Sequence, residues 1–198
     1  MPTKSEETSK YIIEKVAPVF NKKGYVGTSL SELEKITKLT KGAIYSNFKN
    51  KNELALKAFN HNVSNILSPL SSKINAETIS FKKLFIVAKY YSNYYPKMMK
   101  IGGCPIVNVC IDAKNNNPIL FDKGKIISKS LINEIKQIIE QGIEKEELKT
   151  DLNATEVAMN IYSMIEGAIF MSFTHEKPIF LKNISKHIES LINSLIKK

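Results

Sequence analysis

The sequence predicts an all-α protein, with short helices near its N-terminal end and longer helices over the remainder. Apolar residues recur at helical spacing along the 198-residue chain, and the alternating patterns typical of β-strands are scarce. N-cap residues and helix-breaking glycine and proline divide that pattern into segments. The chain is long enough for a small domain joined to a larger one.

The first helix is predicted over residues 5–23. Its apolar residues, among them Ile12, Val16 and Phe20, fall on one face, and Gly24 supplies a left-handed stop. Pro18 has no amide hydrogen to donate, so a bend is expected there.

Three helix starts follow closely. Ser29 is predicted to cap a helix that ends near residue 36, with Glu32 completing a capping box. Thr40 starts a second short helix that ends near residue 48. Asn50 caps a third helix, which runs toward Pro69.

Longer helices are predicted over the C-terminal two thirds. They cover residues 80–95, 105–112, 119–144 and 153–173, and Pro178 opens the last one. The domain boundary is predicted within the helix that begins at Asn50. Residues 1–60 would form one domain and residues 61–198 the other.

The composition limits the function. A net charge of +10, carried by 29 basic residues that are all lysine, favours an anionic partner, either nucleic acid or a membrane surface. Cys104 and Cys110 are too few for a disulfide framework, which suits a reducing cytoplasm. The histidines lack metal-ligand spacing, and no catalytic constellation is visible. We therefore expect a cytoplasmic protein that is not an enzyme and needs no metal or cofactor.

The two short helices predicted to start at Ser29 and Thr40 are joined by residues 37–39, and together they have the lengths of a helix-turn-helix. In that motif the second helix enters the major groove of DNA. The helix starting at Thr40 would present its first amides and Lys41 to DNA, and Gly42 and Ala43 would permit close approach. Ile44 and Phe48 would pack inward.

Further contacts are predicted around that helix. Ser46 can meet a base edge, and the side chains expected to reach phosphates are those of Thr28, Tyr45, Asn47 and Lys51. The competing interpretation is that two short helices with a turn are part of an ordinary helical bundle.

Residues 24–54 resemble the N-terminal DNA-binding domain of the TetR family of bacterial transcriptional regulators. The matching features are Phe20 and Gly24-Tyr25 at the end of the first helix, Thr-Ser before the second, then Thr-Lys-Gly-Ala-Ile-Tyr, and finally Phe with Lys-Asn-Glu-Leu. The resemblance covers roughly residues 8–60. It implies that the Thr40 helix is the recognition helix, with the same base and phosphate contacts. Lys38 departs from the family, because glycine is usual in the turn.

The resemblance also implies a C-terminal domain that binds a ligand and forms a dimer. Two C-terminal helices carry apolar residues spaced to pair with their copies in a four-helix interface. The residues predicted for dimerisation are Ile161, Ile165, Ala168, Ile184, Ile188, Leu191 and Leu195. The alternative is that this stripe buries the chain's own core.

A ligand pocket is predicted where aromatic and methionine side chains cluster, because such a lining adapts to apolar molecules. Its residues would be Tyr91, Tyr94, Tyr95, Met98, Phe121 and Phe170. Most such aromatic residues belong to the core in any fold, which is the competing interpretation.

The leading hypothesis is a homodimeric repressor that a small-molecule effector releases from its double-stranded DNA operator. Repression is an expectation taken from the family. The alternatives are a helical small-molecule-binding protein or a peripheral membrane module without a specific DNA target, although no membrane partner is expected.

Overall fold

The computed structural model describes residues 3–197, and within them the chain forms ten α-helices. They are α1 (Lys4–Gly27), α2 (Leu30–Thr37), α3 (Lys41–Tyr45), α4 (Lys51–Asn75), α5 (Ser80–Ser92), α6 (Tyr95–Ile101), α7 (Pro105–Ala113), α8 (Pro118–Glu144), α9 (Ala154–Thr174) and α10 (Ile179–Leu195). The all-α prediction is confirmed.

The helices form two compact units. Within the described residues, 3–66 and 101–125 make the first unit, and 67–100 and 126–197 make the second. The chain passes from one unit to the other within α4, α6 and α8. The predicted functional division at residue 60 remains a prediction.

The observed helices differ from the predicted ones at two prolines. The chain stays helical through Pro69, and α4 ends only at Asn75; the buried Leu70 carries its packing past the proline. The helix predicted over residues 80–95 stops just before Pro96. In the structure α5 ends at Ser92, and Pro96 lies in the first turn of the next helix, α6. A proline is tolerated there because a first-turn amide has no partner within the helix.

In the first unit, α7 packs against α1 through buried polar contacts. The Asn21 amide nitrogen donates to Ile101 O at 2.7 Å, and the Asn108 amide nitrogen donates to Asn21 O at 3.0 Å. Asn108 also donates to Gly102 O at 2.8 Å. Because Asn21 is only 4% exposed, these bonds replace water that burial removes.

Gly24 lies at this contact. Its φ of 74° is left-handed, as predicted, and a Cβ there would overlap the Asp112 carboxylate. The same carboxylate accepts a hydrogen bond from Tyr25 N at 2.6 Å. Glycine therefore lets the end of α1 turn and lets α7 approach it closely.

In the second unit, α10 packs against α5 and α9. Ser185 donates to Ala88 O at 2.8 Å, fixing α10 on α5. Beyond α10, Lys149 N donates to Leu195 O at 2.9 Å, and Lys197 N donates to Glu147 O at 3.1 Å. These bonds hold the C-terminal segment against the loop between α8 and α9.

Most residues predicted for dimerisation lie inside this unit. Ile161, Ile165, Ala168, Ile188 and Leu195 are each 7% exposed or less. Their side chains pack within the protomer's own core, as the competing interpretation expects, and their contact with a second subunit remains a prediction. Ile184 and Leu191 are half-buried.

Several exposed residues of α9 are apolar as well. Met159 is 51% exposed, Phe170 is 59% exposed and Phe173 is 40% exposed. Gly167 lies between Met159 and Phe170 in the helix, and among the described residues a Cβ on it would meet no atom within 4 Å apart from its chain neighbours and the local backbone of α9. By length and hydropathy alone α9 is apolar enough to cross a membrane, a test that core helices also pass.

The predicted ligand pocket is only partly assembled. Tyr91 and Tyr94 contact each other edge to face, with ring centroids 5.8 Å apart, and Met98 is fully buried. Tyr95 is half-buried at the start of α6. Phe121 belongs to the first unit and Phe170 is exposed on α9, so the structure does not gather these two residues with the tyrosines in one unit's interior.

Candidate nucleic-acid interface

The helix α2 is fixed at both ends by side-chain hydrogen bonds. Ser29 Oγ accepts from Glu32 N at 3.2 Å, as an N-cap does, and Thr37 Oγ1 donates to Leu33 O at 2.7 Å. Tyr11, on α1, donates to Thr37 O at 3.1 Å. The C-terminal end of α2 is thereby held on α1.

The turn after α2 is tight because Lys38 is left-handed, with φ of 56° and ψ of 28°. That conformation costs a non-glycine residue about 1–2 kcal/mol. Packing of the two helices stabilises it, since Leu33 of α2 and Ile44 of α3 are both fully buried. This left-handed conformation explains why glycine is usual in the family at the position of Lys38.

The helix α3 begins at a capped end. Thr40 Oγ1 accepts from Ala43 N at 3.3 Å, and the Glu34 carboxylate accepts from Lys41 N at 2.6 Å. Ile44 and Phe48 pack inward as predicted, with exposures of 0% and 2%. The apolar side of α3 is therefore fixed, and its first turn lies at the surface.

That first turn is open. Thr40, Lys41, Gly42 and Ser46 are exposed, and Ala43 is half-buried. A Cβ built on Gly42 meets no side chain or neighbouring segment nearer than Thr40 Oγ1, at 4.0 Å. Internal packing therefore does not require glycine at this position.

Two residues predicted to contact phosphates make other contacts. The Asn47 amide nitrogen donates to Ala43 O at 2.9 Å, and its oxygen accepts from Ser9 Oγ at 3.1 Å. Thr28 is fully buried and donates to Gly24 O at 2.7 Å. The Thr28 hydroxyl therefore does not face solvent.

Lys51 is also engaged within the protein. Its ammonium donates to Tyr25 O at 2.6 Å and lies 4.3 Å from the centroid of the Tyr25 ring. Burial lowers the pKa of Lys51, and the negative charge of Asp112 opposes that shift. Burial raises the pKa of Tyr25, and the neighbouring Tyr45 adds to the shift. Lys51 therefore lies at the junction of α1 and α4. Tyr45, which neighbours Tyr25, is half-buried.

Three residues of this region escaped sequence reasoning. Glu34 occupies the first amide of α3, and Tyr25 and Asp112 surround the Lys51 ammonium. Glu34 is separated from Lys41 by seven residues, and Asp112 is far from Lys51 in the chain. Helical periodicity gives no signal for such contacts across a turn or between distant segments.

Two profiles of known protein families match this chain. Residues 12–58 match the profile of the bacterial regulatory proteins of the tetR family. Residues 81–188 match a tetracyclin repressor-like C-terminal domain. The two matches together cover both ends of the fold described above.

Solved structures agree along the whole chain. A TetR-family transcriptional regulator from Cytophaga hutchinsonii is 33% identical, with a TM-score of 0.89 over 100% of this chain and 99% of that one. A TetR regulator from Chloroflexus aurantiacus J-10-FL is 25% identical, with a TM-score of 0.91 over 98% of both chains. Among sequence relatives, the fatty acid metabolism regulator protein of Bacillus subtilis (strain 168) is 22% identical over 92% of each chain. The chain therefore belongs to the TetR family of bacterial regulators and is a DNA-binding transcriptional regulator.

Proposed function

We propose that this regulator is a cytoplasmic, homodimeric repressor that inserts α3 into the major groove of its operator and leaves the DNA when a small molecule binds. The observation that carries the proposal is the open first turn of α3, where Thr40, Lys41 and Gly42 are exposed above a buried apolar side. Proteins of this family are generally DNA-binding proteins rather than enzymes, so we propose no catalytic activity.

The base contacts are assigned to the exposed surface of α3. Lys41 is the cation of that surface, and Ser46 Oγ, which donates to Ala43 O at 2.9 Å, can accept a hydrogen bond from the amino group of a base. A good bidentate base contact discriminates by roughly 1–3 kcal/mol. The side chain of Tyr45 would approach a phosphate at the edge of α3, and the Asn47 amide could do so only by releasing one of its bonds to Ala43 O and Ser46 Oγ.

Lys51 and Thr28, the other two residues predicted to contact phosphates, both make hydrogen bonds within the protein. Lys51 can reach a phosphate only by releasing Tyr25 O. Thr28 keeps its hydroxyl bonded inside the protein, so it would make no phosphate contact in this conformation.

A dimer would use the exposed side of α9. Met159, Ser163, Gly167 and Phe170 recur at helical spacing, so they share one face. Burying such apolar surface against a second copy is favourable, and the absence of a side chain at Gly167 allows close approach. Two-fold symmetry would present two α3 helices to half-sites about one turn of DNA apart.

The effector would act on the second unit. Because α4, α6 and α8 each continue from one unit into the other, a ligand that shifts these helices also biases the unit that carries α3. Ligand release of DNA requires only a difference in affinity between the two states.

The test is a gel-shift titration with DNA from upstream of the protein's own gene, over a series of salt concentrations. Wild type would be compared with a Tyr45→Ala, Lys41→Ala double variant and with Lys149→Ala, which removes an exposed lysine elsewhere. We expect a salt-sensitive shift that the double variant loses and the control keeps. A shift that survives the double variant unchanged would refute the proposed surface.

A further inference from the structure

A groove of about 440 Å³ lies within the second unit, beside the predicted aromatic cluster. Its lining consists of Pro69, Lys73, Ile86, Lys89, Tyr90, Asn93, Tyr94 and Lys97. That volume is within the range of about 300–1,000 Å³ typical of small-molecule sites. The groove could therefore hold a small organic molecule.

One side of the groove is apolar. Ile86, Tyr90 and Tyr94 follow each other at intervals of four residues, so they share a face along the end of α5 and beyond it. The rings of Tyr90 and Tyr94 lie 6.4 Å apart between centroids, with planes 25° apart. Tyr94 is only 3% exposed, so Ile86 and Tyr90 supply most of the surface available to an alkyl chain or another apolar group.

The rest of the groove carries positive charge. Lysines stand at positions 73, 89 and 97, and none of the eight lining residues is acidic. Burial lowers the pKa of the Lys97 ammonium, which means that its surroundings solvate the positive charge less well than water does. A negatively charged group placed among the three ammonium groups would be attracted by all of them.

We propose that this groove binds an anionic amphipathic small molecule, with a carboxylate or phosphate head held by Lys73, Lys89 and Lys97 and an apolar tail lying on Ile86, Tyr90 and Tyr94. This inference rests on the proposed ligand-responsive function, because it names the class of molecule that the second unit would sense.

The test is isothermal titration calorimetry of the full-length protein with three 12-carbon probes. Dodecanoate and dodecyl phosphate carry the two candidate head groups, and dodecanol carries neither charge. The groove variant is Lys73→Gln, Lys89→Gln, Lys97→Gln. The matched control is Lys114→Gln, Lys129→Gln, Lys149→Gln, which removes the same charge at exposed positions outside the groove.

We expect wild type and the control to bind one or both anions about tenfold or more tightly than dodecanol, the change that one charge-assisted hydrogen bond supplies. The groove variant should lose that preference and keep its weak affinity for dodecanol. Whichever anion binds more tightly identifies the head group. Thermal unfolding of the two triple variants checks that both are folded.

Equal affinity for all three probes, no binding of any of them, or equal losses in the groove and control variants would overturn the proposal. Failure of the regulatory function gives a different result. Anion binding that depends on the groove lysines but leaves the DNA complex intact would retain the site and reject its role as an effector site.

Discussion

Replacing Gly42 by alanine is expected to weaken DNA binding without destabilising the protein. The added methyl group would project from the first turn of α3 into a space where the nearest atom outside the local backbone is Thr40 Oγ1, at 4.0 Å. Gly42 is not left-handed, so alanine fits its backbone conformation. The substitution therefore introduces no clash within the protein.

The expected magnitudes have opposite signs. Alanine in place of glycine in a helix stabilises the folded state by roughly 0.5–1 kcal/mol. If α3 lies in the major groove with its first turn close to DNA, the methyl group displaces it and weakens contacts worth roughly 1–3 kcal/mol. A loss of about 1.4 kcal/mol lowers affinity tenfold.

The assay pairs chemical denaturation with fluorescence anisotropy on a labelled operator fragment. Gly27→Ala is the control, because Gly27 is also an exposed helical glycine and its Cβ would meet only Lys23 Cβ, at an ordinary 3.6 Å. We predict that Gly42→Ala is at least as stable as wild type and binds DNA about 10- to 100-fold more weakly. Wild-type affinity in a folded Gly42→Ala protein would refute the close approach of α3 to DNA.

Three further predictions test other parts of the account. Gly24→Ala should reduce the free energy of unfolding by at least about 1–2 kcal/mol in chemical denaturation, because it strains a left-handed residue and crowds Asp112; unchanged stability would contradict the close packing of α7 on α1. Lys41→Gln should reduce the magnitude of the slope of log affinity against log salt by about 2, which is about 1 for each subunit of the proposed dimer, and an unchanged slope would remove Lys41 from the phosphate contacts. Phe170→Glu should weaken the dimer about tenfold or more in analytical ultracentrifugation. The control Ile111→Glu changes a residue that is 72% exposed outside α9, and it should leave the dimer affinity unchanged. Equal effects of the two substitutions would reject the α9 interface.

The short helices were predictable because their signals are local. Ser29, Thr40 and Asn50 each cap a helix within three residues of themselves, and the buried sides of those helices follow from periodicity. Asn153 caps α9 in the same way, whereas Pro178 precedes α10 without a side-chain cap and was predicted to open that helix because proline fits a helix start. Local chemistry therefore defined most helix starts.

The remaining features depend on tertiary contacts between distant residues. The C-terminal apolar stripe could cover either the chain's own core or a partner's surface, and its spacing is the same in both cases. In the structure Ile161 and Ile188 are buried, and Met159 and Phe170 on another side of α9 are exposed. The attachment of α7 to α1 through Asn21 and Asn108 joins residues more than 80 positions apart, beyond the reach of any periodic pattern.

The central claim is that two copies of α3 present the same surface to a symmetric DNA site. The most direct measurement is selection of binding sequences from a random double-stranded DNA library by wild type and by Ser46→Ala. We predict an inverted repeat with half-sites about one helical turn apart for wild type. The variant should relax base preference at the same position in both halves. Enrichment of a single unrepeated site, or identical preferences for the two proteins, would contradict the claim in its symmetry or in its contacts.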